Sequence, residues 1–523
     1  MKFLLSGKNH QRTPMIDTII SKFQSFRNRL FQLFHYRAGA TMDLIDTLSA
    51  TTADSIVKLS LSHLFRRKYS SLTDVLSSVF RTNLKMEPTV EERQNQTIKV
   101  TQLLAEECVS NGSEGGRALF AIDCTANPRV YANKVDDRSF IHAPNHIPGQ
   151  KPITVGHEYS FLVHLPNQIE DKELHWVVPL NLRRVESDQS GPQVGLLQLE
   201  EISNQTVFKS HFCISVADTA YSTRSWVIGV SKWPNVVHIA RMRGNRKVYR
   251  MPHMKNIRRG RPQIYGNQIL LQDPSEPDLE EITSMTNRKG KEYQVLLQRW
   301  NDVILQGSKE ERTHEHPLDL LRVTVTDNEG NPVYRRPLWV MITGARRREV
   351  SSKDAHIAYG RRYDIEHFFR FGKQKLGLVN SQTCETRHEE NWHWMGLLAY
   401  NMLYHARKLT QSERYPWEKK KIRVLSSERP SQVHRGYGGI IQRIGTPAPI
   451  PKPRGKSSGR REGCKAGERP DRPLIRKSLQ EKDSDHGNQK KPARPRNRSK
   501  RPQVKYRPMK RIRSKNRPQP LRC

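Results

Sequence analysis

Apolar and polar positions change their rhythm several times along the chain. Over residues 15–110, Leu, Ile and Val recur every three to four positions, as in MDLIDTLSATTADSIVKLSLSHLF and SLTDVLSSVFRTNL. That spacing predicts helices, and Ser, Thr and Asp stand where N-caps are needed. From about residue 116, short apolar runs and alternations take over. RALFAIDCTA, TVGHEYSFLVHLP, HWVVPLNLRRV, HFCISVADTAYS, WVIGV and VVHIARMRG all read as strands. Around 250–335 the chain is polar and irregular, with short strand-like pieces (QILLQ, LLRVTV) and then PLWVMITG. Residues 353–408 return to a helical period, and beyond them apolar periodicity fades. No internal repeat is present.

These changes predict a mixed α/β protein in five stretches. Residues 1–112 form a helical region, either a DNA-binding head or an ordinary helical domain. Residues 113–245 hold the first part of a strand-rich core, 246–340 a β-rich insertion and 341–410 the helices that complete the core. Residues 411–523 are expected to be a disordered polybasic tail: from 419 onward there are 33 Lys and Arg against 7 Asp and Glu, with 13 prolines.

Charge sharpens the picture. The 523 residues carry 90 Lys and Arg against 52 Asp and Glu, a net of +38. So large an excess points to a polyanionic partner, nucleic acid first. A basic arm suits sequence-independent DNA binding by phosphate neutralisation, although it would bind RNA equally well. No stretch approaches the roughly 18 apolar residues of a membrane span. The start, MKFLLSGKNHQR, has too short an apolar run for a secretory signal. Six scattered cysteines with no CxxC pair argue against a disulfide framework or a zinc knuckle, and a reducing compartment is expected.

Two acids stand at strand ends, Asp123 after LFAI and Asp218 after CISVA. An acid directly after a buried strand is costly unless it is solvated, paired or holding a cation; alone, each also reads as a turn or cap residue. A third piece lies in KDAHIAYGRRYDIEHFFRFGKQKL, residues 353–376. On a single helix at about 100° per residue, Tyr359, Arg362, Glu366 and Lys373 fall within a sector of about 60°. One acid, two bases and a phenol therefore share a stripe. Three converging carboxylates can hold two divalent ions about 3.5–4 Å apart. Oxygen-only ligation suits two Mg²⁺ ions, with Mn²⁺ able to substitute. Arg362 as a fork and Lys373 as a point charge would clamp phosphate, and Tyr359 would position it through its hydroxyl.

Tyr359-x2-Arg362-x3-Glu366-x6-Lys373 resembles the Tyr-Arg-Glu-Lys signature of bacterial insertion-sequence DDE transposases, in insertion-sequence family four and its close relatives. Asp123 and Asp218 fall where that family has its first two catalytic acids. The resemblance covers roughly 115–408. It implies an RNase H-like catalytic core with a β-rich insertion, and two Mg²⁺ ions held by Asp123, Asp218 and Glu366. It implies that Tyr359, Arg362 and Lys373 contact DNA near the scissile phosphate. It further implies cleavage at terminal inverted repeats, strand transfer into target DNA, a homodimer in the synaptic complex, and a cytoplasmic, nucleoid-associated protein. Some relatives form a hairpin and hold a flipped base on an aromatic residue of the insertion; Trp300 and Trp339 are the candidates, with Trp339 better read as a core strand residue. Two other readings stand beside this one: an RNase H-like nuclease or resolvase that only hydrolyses, and a non-catalytic DNA-binding derivative.

Three further features draw less. RHEENWHW brings His388, Glu389, Glu390 and His393 together without a known zinc spacing, at the start of an amphipathic helix. His157 reads as a hydrogen-bonded structural histidine. Cys124 follows Asp123 but has no base to activate it.

Overall fold

The computed structural model describes residues 12–52, 55–83, 88–110, 116–142, 151–167, 174–252, 263–286, 290–410, 427–453, 462–465 and 467–476. These belong to one unit, Met1–Lys477; Ser478–Cys523 lies outside the described residues.

Helices α1 (Arg12–Leu33), α2 (Ala38–Ala50), α3 (Ile56–Leu59), α4 (Ser70–Ser78) and α5 (Val90–Ser110) fill the N-terminal region, as the period predicts. Then come β1 (Arg117–Pro128), β2 (Ser139–His142), β3 (Ile153–His164) and β4 (Val178–Val185). Helix α6 (Gly191–Ser203) opens on a capping box of Ser190 and Gln193, and the short α7 (Thr206–Lys209) leads to β5 (Phe212–Ala217). WVIGV, read above as a strand, is instead helix α8 (Arg224–Val230). The Thr223 side chain accepts the Trp226 N–H at its start, so a local cap overrides the β-branched composition.

The sheet continues through β6 (Val236–Arg241), β7 (Val248–Arg250), β8 (Gln268–Ile269), β9 (Leu279–Thr286), β10 (Glu292–Leu305), β11 (Leu318–Thr326) and β12 (Leu338–Thr343). Among the described residues these strands form one twelve-stranded sheet, ordered β2-β3-β1-β5-β6-β12-β11-β10-β7-β8, with β4 on β3 and β9 on β10. β1, β5 and β6 run parallel and the other pairings are antiparallel. The strands of 246–340 continue the core sheet, with β12 joined to β6 through Val340–Arg241. β5, FCISVA, is buried at every position, as an interior parallel strand requires.

Helices α9 (Ser352–Arg361), α10 (Tyr363–Lys375) and α11 (Thr386–Ala406) follow. α11 is buried along most of its length and packs on α2, on β4 and on α12 (Pro430–Ile444). α12 corrects the reading of 411–523 as a disordered tail from its start. Its Val433, Tyr437, Ile440 and Ile441 lie in the main hydrophobic core. The buried Arg27 guanidinium donates to both Asp46 oxygens at 2.5 and 2.8 Å, and the Tyr437 hydroxyl donates to Asp46 at 3.0 Å. One ion pair thus ties α1, α2 and α12 together. The last 46 residues of the basic tail lie outside the described residues.

Candidate active site

Strand register sets the two aspartates side by side. Ala121 of β1 pairs with Val216 of β5, so Asp123 and Asp218, each two residues further on, emerge at the same level of two parallel neighbours. Asp218 ends its strand as the cap of a three-ten turn: its Oδ1 accepts the Ala220 N–H at 2.8 Å. Asp123 Oδ1 accepts the Cys124 N–H at 2.8 Å.

Packing brings in the glutamate. Asp123 lies opposite Phe161 of β3, and Phe161 packs edge-on against Phe368 and Phe369 of α10, both at 5.5 Å. Those two rings seat α10 on β3, and Arg362 links Glu366 of that helix to Asp123 of β1. The start of α10 is pinned as well: Asp364, buried, accepts from Arg361 Nε at 2.6 Å and faces His175 Nδ1 at 2.5 Å.

The expected single helix over 353–376 is two. α9 ends at Arg361 and α10 begins at Tyr363. Arg362 at the junction keeps right-handed dihedrals (φ −50°, ψ −34°), but its N–H reaches Tyr359 O at 3.1 Å and its carbonyl accepts from Ile365 at 3.2 Å. These are three-residue bonds, tighter than the four-residue ladder of an α-helix. The four motif residues still converge. Arg362 Nη2 lies 2.5 Å from Glu366 Oε1, and Nη1 lies 3.5 Å from Asp123 Oδ2.

The electrostatics report the same convergence. Burial, then the neighbouring Asp218 charge, pushes the Asp123 carboxyl up to about 7, against the pull of Arg362. Burial lowers Lys373, and the Asp123 charge opposes it. Burial raises the Tyr359 phenol, while Arg362 and Arg241 act against the rise. Arg362 stays charged: burial works against it, and Tyr359, Asp123 and Glu366 outweigh burial. Asp123, Asp218, Glu366, Tyr359, Arg362 and Lys373 thus share one electrostatic neighbourhood. Even so, among the described residues no group of three His, Cys, Asp or Glu side chains stands close enough to hold a metal ion as folded here. The Arg362 guanidinium bridges two of the three carboxylates.

Arg241 was not anticipated from the sequence. Ala217 of β5 pairs with Ala240 of β6, so Arg241 emerges at the level of Asp218. It is exposed, and its charge reaches the Tyr359 phenol. Only the β5–β6 register reveals it.

Other expectations resolve differently. Trp300 is fully buried, donates Nε1–H to Ser275 O at 3.0 Å and packs on Trp339, itself 5% exposed, at 5.2 Å. Neither ring offers a face to a base in this fold, which corrects the reading of Trp300 as a stacking candidate. In RHEENWHW, Glu389 is the centre of a buried network. Its carboxylate meets Arg129 Nε at 3.2 Å and His157 Nδ1 at 2.8 Å, and accepts from Asn127 Nδ2 at 2.7 Å and the Tyr159 hydroxyl at 3.0 Å. Burial pushes that carboxyl up, but the His157 hydrogen bond and the surrounding positive charge outweigh it and hold it at about 2. His157 is indeed a hydrogen-bonded structural histidine, its Nε2 facing Asp136 O at 2.9 Å. Cys124 is held protonated by burial beside Glu158, with its Sγ 3.4 Å from the Tyr221 hydroxyl.

The family model of the DDE superfamily endonucleases matches residues 29–299, more than half of the chain. The chain belongs to that family. The matched stretch takes in Asp123 and Asp218 and ends before Glu366. No curated protein matches the chain. As a DDE superfamily endonuclease it is a nuclease or transposase acting on DNA, of a kind that generally uses divalent metal ions. The mixed sheet with parallel β1, β5 and β6 is consistent with an RNase H-like DDE core. No described helix is long and apolar enough to cross a membrane.

Proposed function

We propose that this DDE endonuclease is a transposase of the insertion-sequence type, cutting DNA at terminal inverted repeats and joining the ends to target DNA as a homodimer. Asp123, Asp218 and Glu366 are its metal-binding acids, and Tyr359, Arg362 and Lys373 meet DNA beside the scissile phosphate. The observation that supports this reading is that Arg362 bridges Asp123 and Glu366, 243 residues apart in sequence, while Asp218 stands level with Asp123 on the neighbouring parallel strand. It supports the Tyr-Arg-Glu-Lys resemblance beyond the stretch that the family model matches.

The donor set fits divalent cations by its chemistry. All three groups are hard carboxylate oxygens, suited to Mg²⁺ or Mn²⁺. Burial, then the Asp218 charge, raises the Asp123 carboxyl, and Arg362 offsets only part of that rise. Ions held by Asp123, Asp218 and Glu366 would supply activation of the attacking oxygen and stabilisation of the leaving one. The chain's own groups do the rest. Lys373 would supply a point charge, Tyr359 a hydroxyl donor and Arg362 a planar fork for phosphate oxygens. The same groups would orient the phosphodiester for in-line displacement. Work on chromosomal DNA implies a cytoplasmic site at the nucleoid.

The test is cleavage of supercoiled and linear duplex DNA in Mg²⁺ by Asp123→Ala, Asp218→Ala and Glu366→Ala. Each is expected to lose strand cleavage by at least a hundredfold while keeping duplex binding. A variant that cleaves like the parent removes its residue from the site. Short inverted repeats bracketing the gene, with direct repeats outside, are the genomic counterpart of the same test.

A further inference from the structure

Arg362 does something that a phosphate clamp alone does not require. Its guanidinium spans two elements, lying 3.5 Å from Asp123 on β1 and 2.5 Å from Glu366 on α10. Its side chain is only 16% exposed. The other titratable groups in its field are Asp218 and Lys373, which act on Asp123, and the Tyr359 phenol, on which Arg241 also acts. In this arrangement the carboxylates already have a cation, and it is the protein's own.

We infer that Arg362 is the resident counter-ion of the carboxylate cluster, and that it must leave for divalent ions to enter, which couples metal loading to capture of a DNA phosphate. The inference rests on the proposed reading of Asp123 and Glu366 as metal-binding acids. The guanidinium lies against Glu366 Oε1 and Asp123 Oδ2, oxygens that an incoming ion would have to take, and its positive charge there repels that ion. A displaced guanidinium in a half-buried site needs a new anion, and its planar fork suits a phosphodiester. The exchange needs little backbone change. Arg362 sits at the junction of α9 and α10, no side chain caps α10 there, and the neighbouring Gly360 has open space where a side chain would stand. Reciprocity then holds: whatever factor DNA adds to metal affinity, metal adds to DNA affinity. With Arg362 in place and no DNA, the cluster resists metal, so the cutting centre assembles on its substrate.

The experiment measures Mn²⁺ binding to the full chain by the loss of free-ion EPR signal, without DNA. Arg362→Ala is expected to bind Mn²⁺ at least tenfold more tightly than the parent. Arg362→Gln, which keeps bulk and polarity but not charge, should do the same, and Arg362→Lys should stay near the parent. Adding a random-sequence duplex, with Mn²⁺ bound by the duplex alone subtracted, should tighten Mn²⁺ binding in the parent and leave Arg362→Ala almost unchanged. Equal or weaker Mn²⁺ binding by both Arg362→Ala and Arg362→Gln overturns the inference, as does an equal DNA effect in parent and variant. Glu366→Gln separates the two levels. If Arg362→Ala binds Mn²⁺ tightly and adding Glu366→Gln to it changes nothing, the metal lies elsewhere and the proposed site itself fails.

Discussion

Asp123 carries the electrostatic cost of the site. With its carboxyl pushed up to about 7, mainly by burial and then by Asp218, it resists ionisation in the folded chain. In the unfolded chain it ionises near the ordinary aspartate value of 3.8. Stability from this group is therefore complete below 3.8 and is lost as pH rises toward 7. Asp123→Asn removes the loss. In EDTA the variant and the parent should have similar unfolding free energies at pH 4, and the variant should gain on the order of 2–4 kcal/mol by pH 8. Parallel curves across that range would mean that the carboxyl is not strained. Arg241, beside Asp218 in register, is expected to hold a backbone phosphate. Arg241→Ala should flatten the log affinity against log salt slope for duplex DNA by about 0.9, and an unaltered slope would remove it from the interface. Both aspartates were legible because each interrupts an apolar run. Arg241 was not, because nothing in its own neighbourhood of sequence records which strand lies beside it.

At the scale of elements, the site depends on helices held to the sheet from behind. Glu389 of α11 binds Arg129 just past β1 and His157 of β3, and Arg129 also donates to the Ser381 and Thr383 carbonyls. This network fixes the far end of β1, the strand that carries Asp123. Glu389→Ala leaves the buried Arg129 without its carboxylate and should cost about 3–5 kcal/mol in urea unfolding; a loss under about 1 kcal/mol would mean that the two carbonyls and water compensate the guanidinium. The hydrogen-bonded histidine was readable at His157, but its partner lies 232 positions away and looked like part of a helix start. The α9–α10 junction escaped for another reason. Arg362 stays in right-handed dihedral space, so the stripe of Tyr359, Arg362, Glu366 and Lys373 survives the break, and Gly360, two residues before it, reads as no more than a weak helix former.

For the whole molecule, the basic C-terminal stretch divides into two parts. α12 belongs to the fold through Tyr437, Asp46 and Arg27, and residues 467–476 meet the edge of the sheet, where Ile475 N–H donates to Arg138 O at 2.9 Å. Residues 478–523 carry 16 Lys and Arg against three Asp and Glu. A chain ending at 477 should keep the thermal transition of the full chain and lose non-specific DNA affinity, with a flatter salt slope. A chain ending at 429 should melt several degrees lower, because the buried Arg27–Asp46 pair loses the Tyr437 hydroxyl and the apolar face of α12. Equal melting of the two truncations would contradict the role given to α12. Composition concealed it: prolines and arginines on either side made PSQVHRGYGGIIQRI look like more of the arm, although its apolar residues keep helical spacing. The mixed α/β class was readable from runs and alternations. The continuity of the sheet through 246–340 was not, since β12 reaches β6 across about 100 intervening residues.

In the proposed reading, Asp123, Asp218 and Glu366 together hold the divalent ions of a DNA-cutting site. It is tested most directly by anomalous scattering at the manganese edge from crystals of the full chain grown with Mn²⁺ and duplex DNA. Manganese peaks are expected in direct contact with oxygens of all three side chains, with the Arg362 guanidinium turned onto a phosphate. Manganese bound elsewhere, or a site lacking any one of the three carboxylates while DNA lies across it, would contradict it.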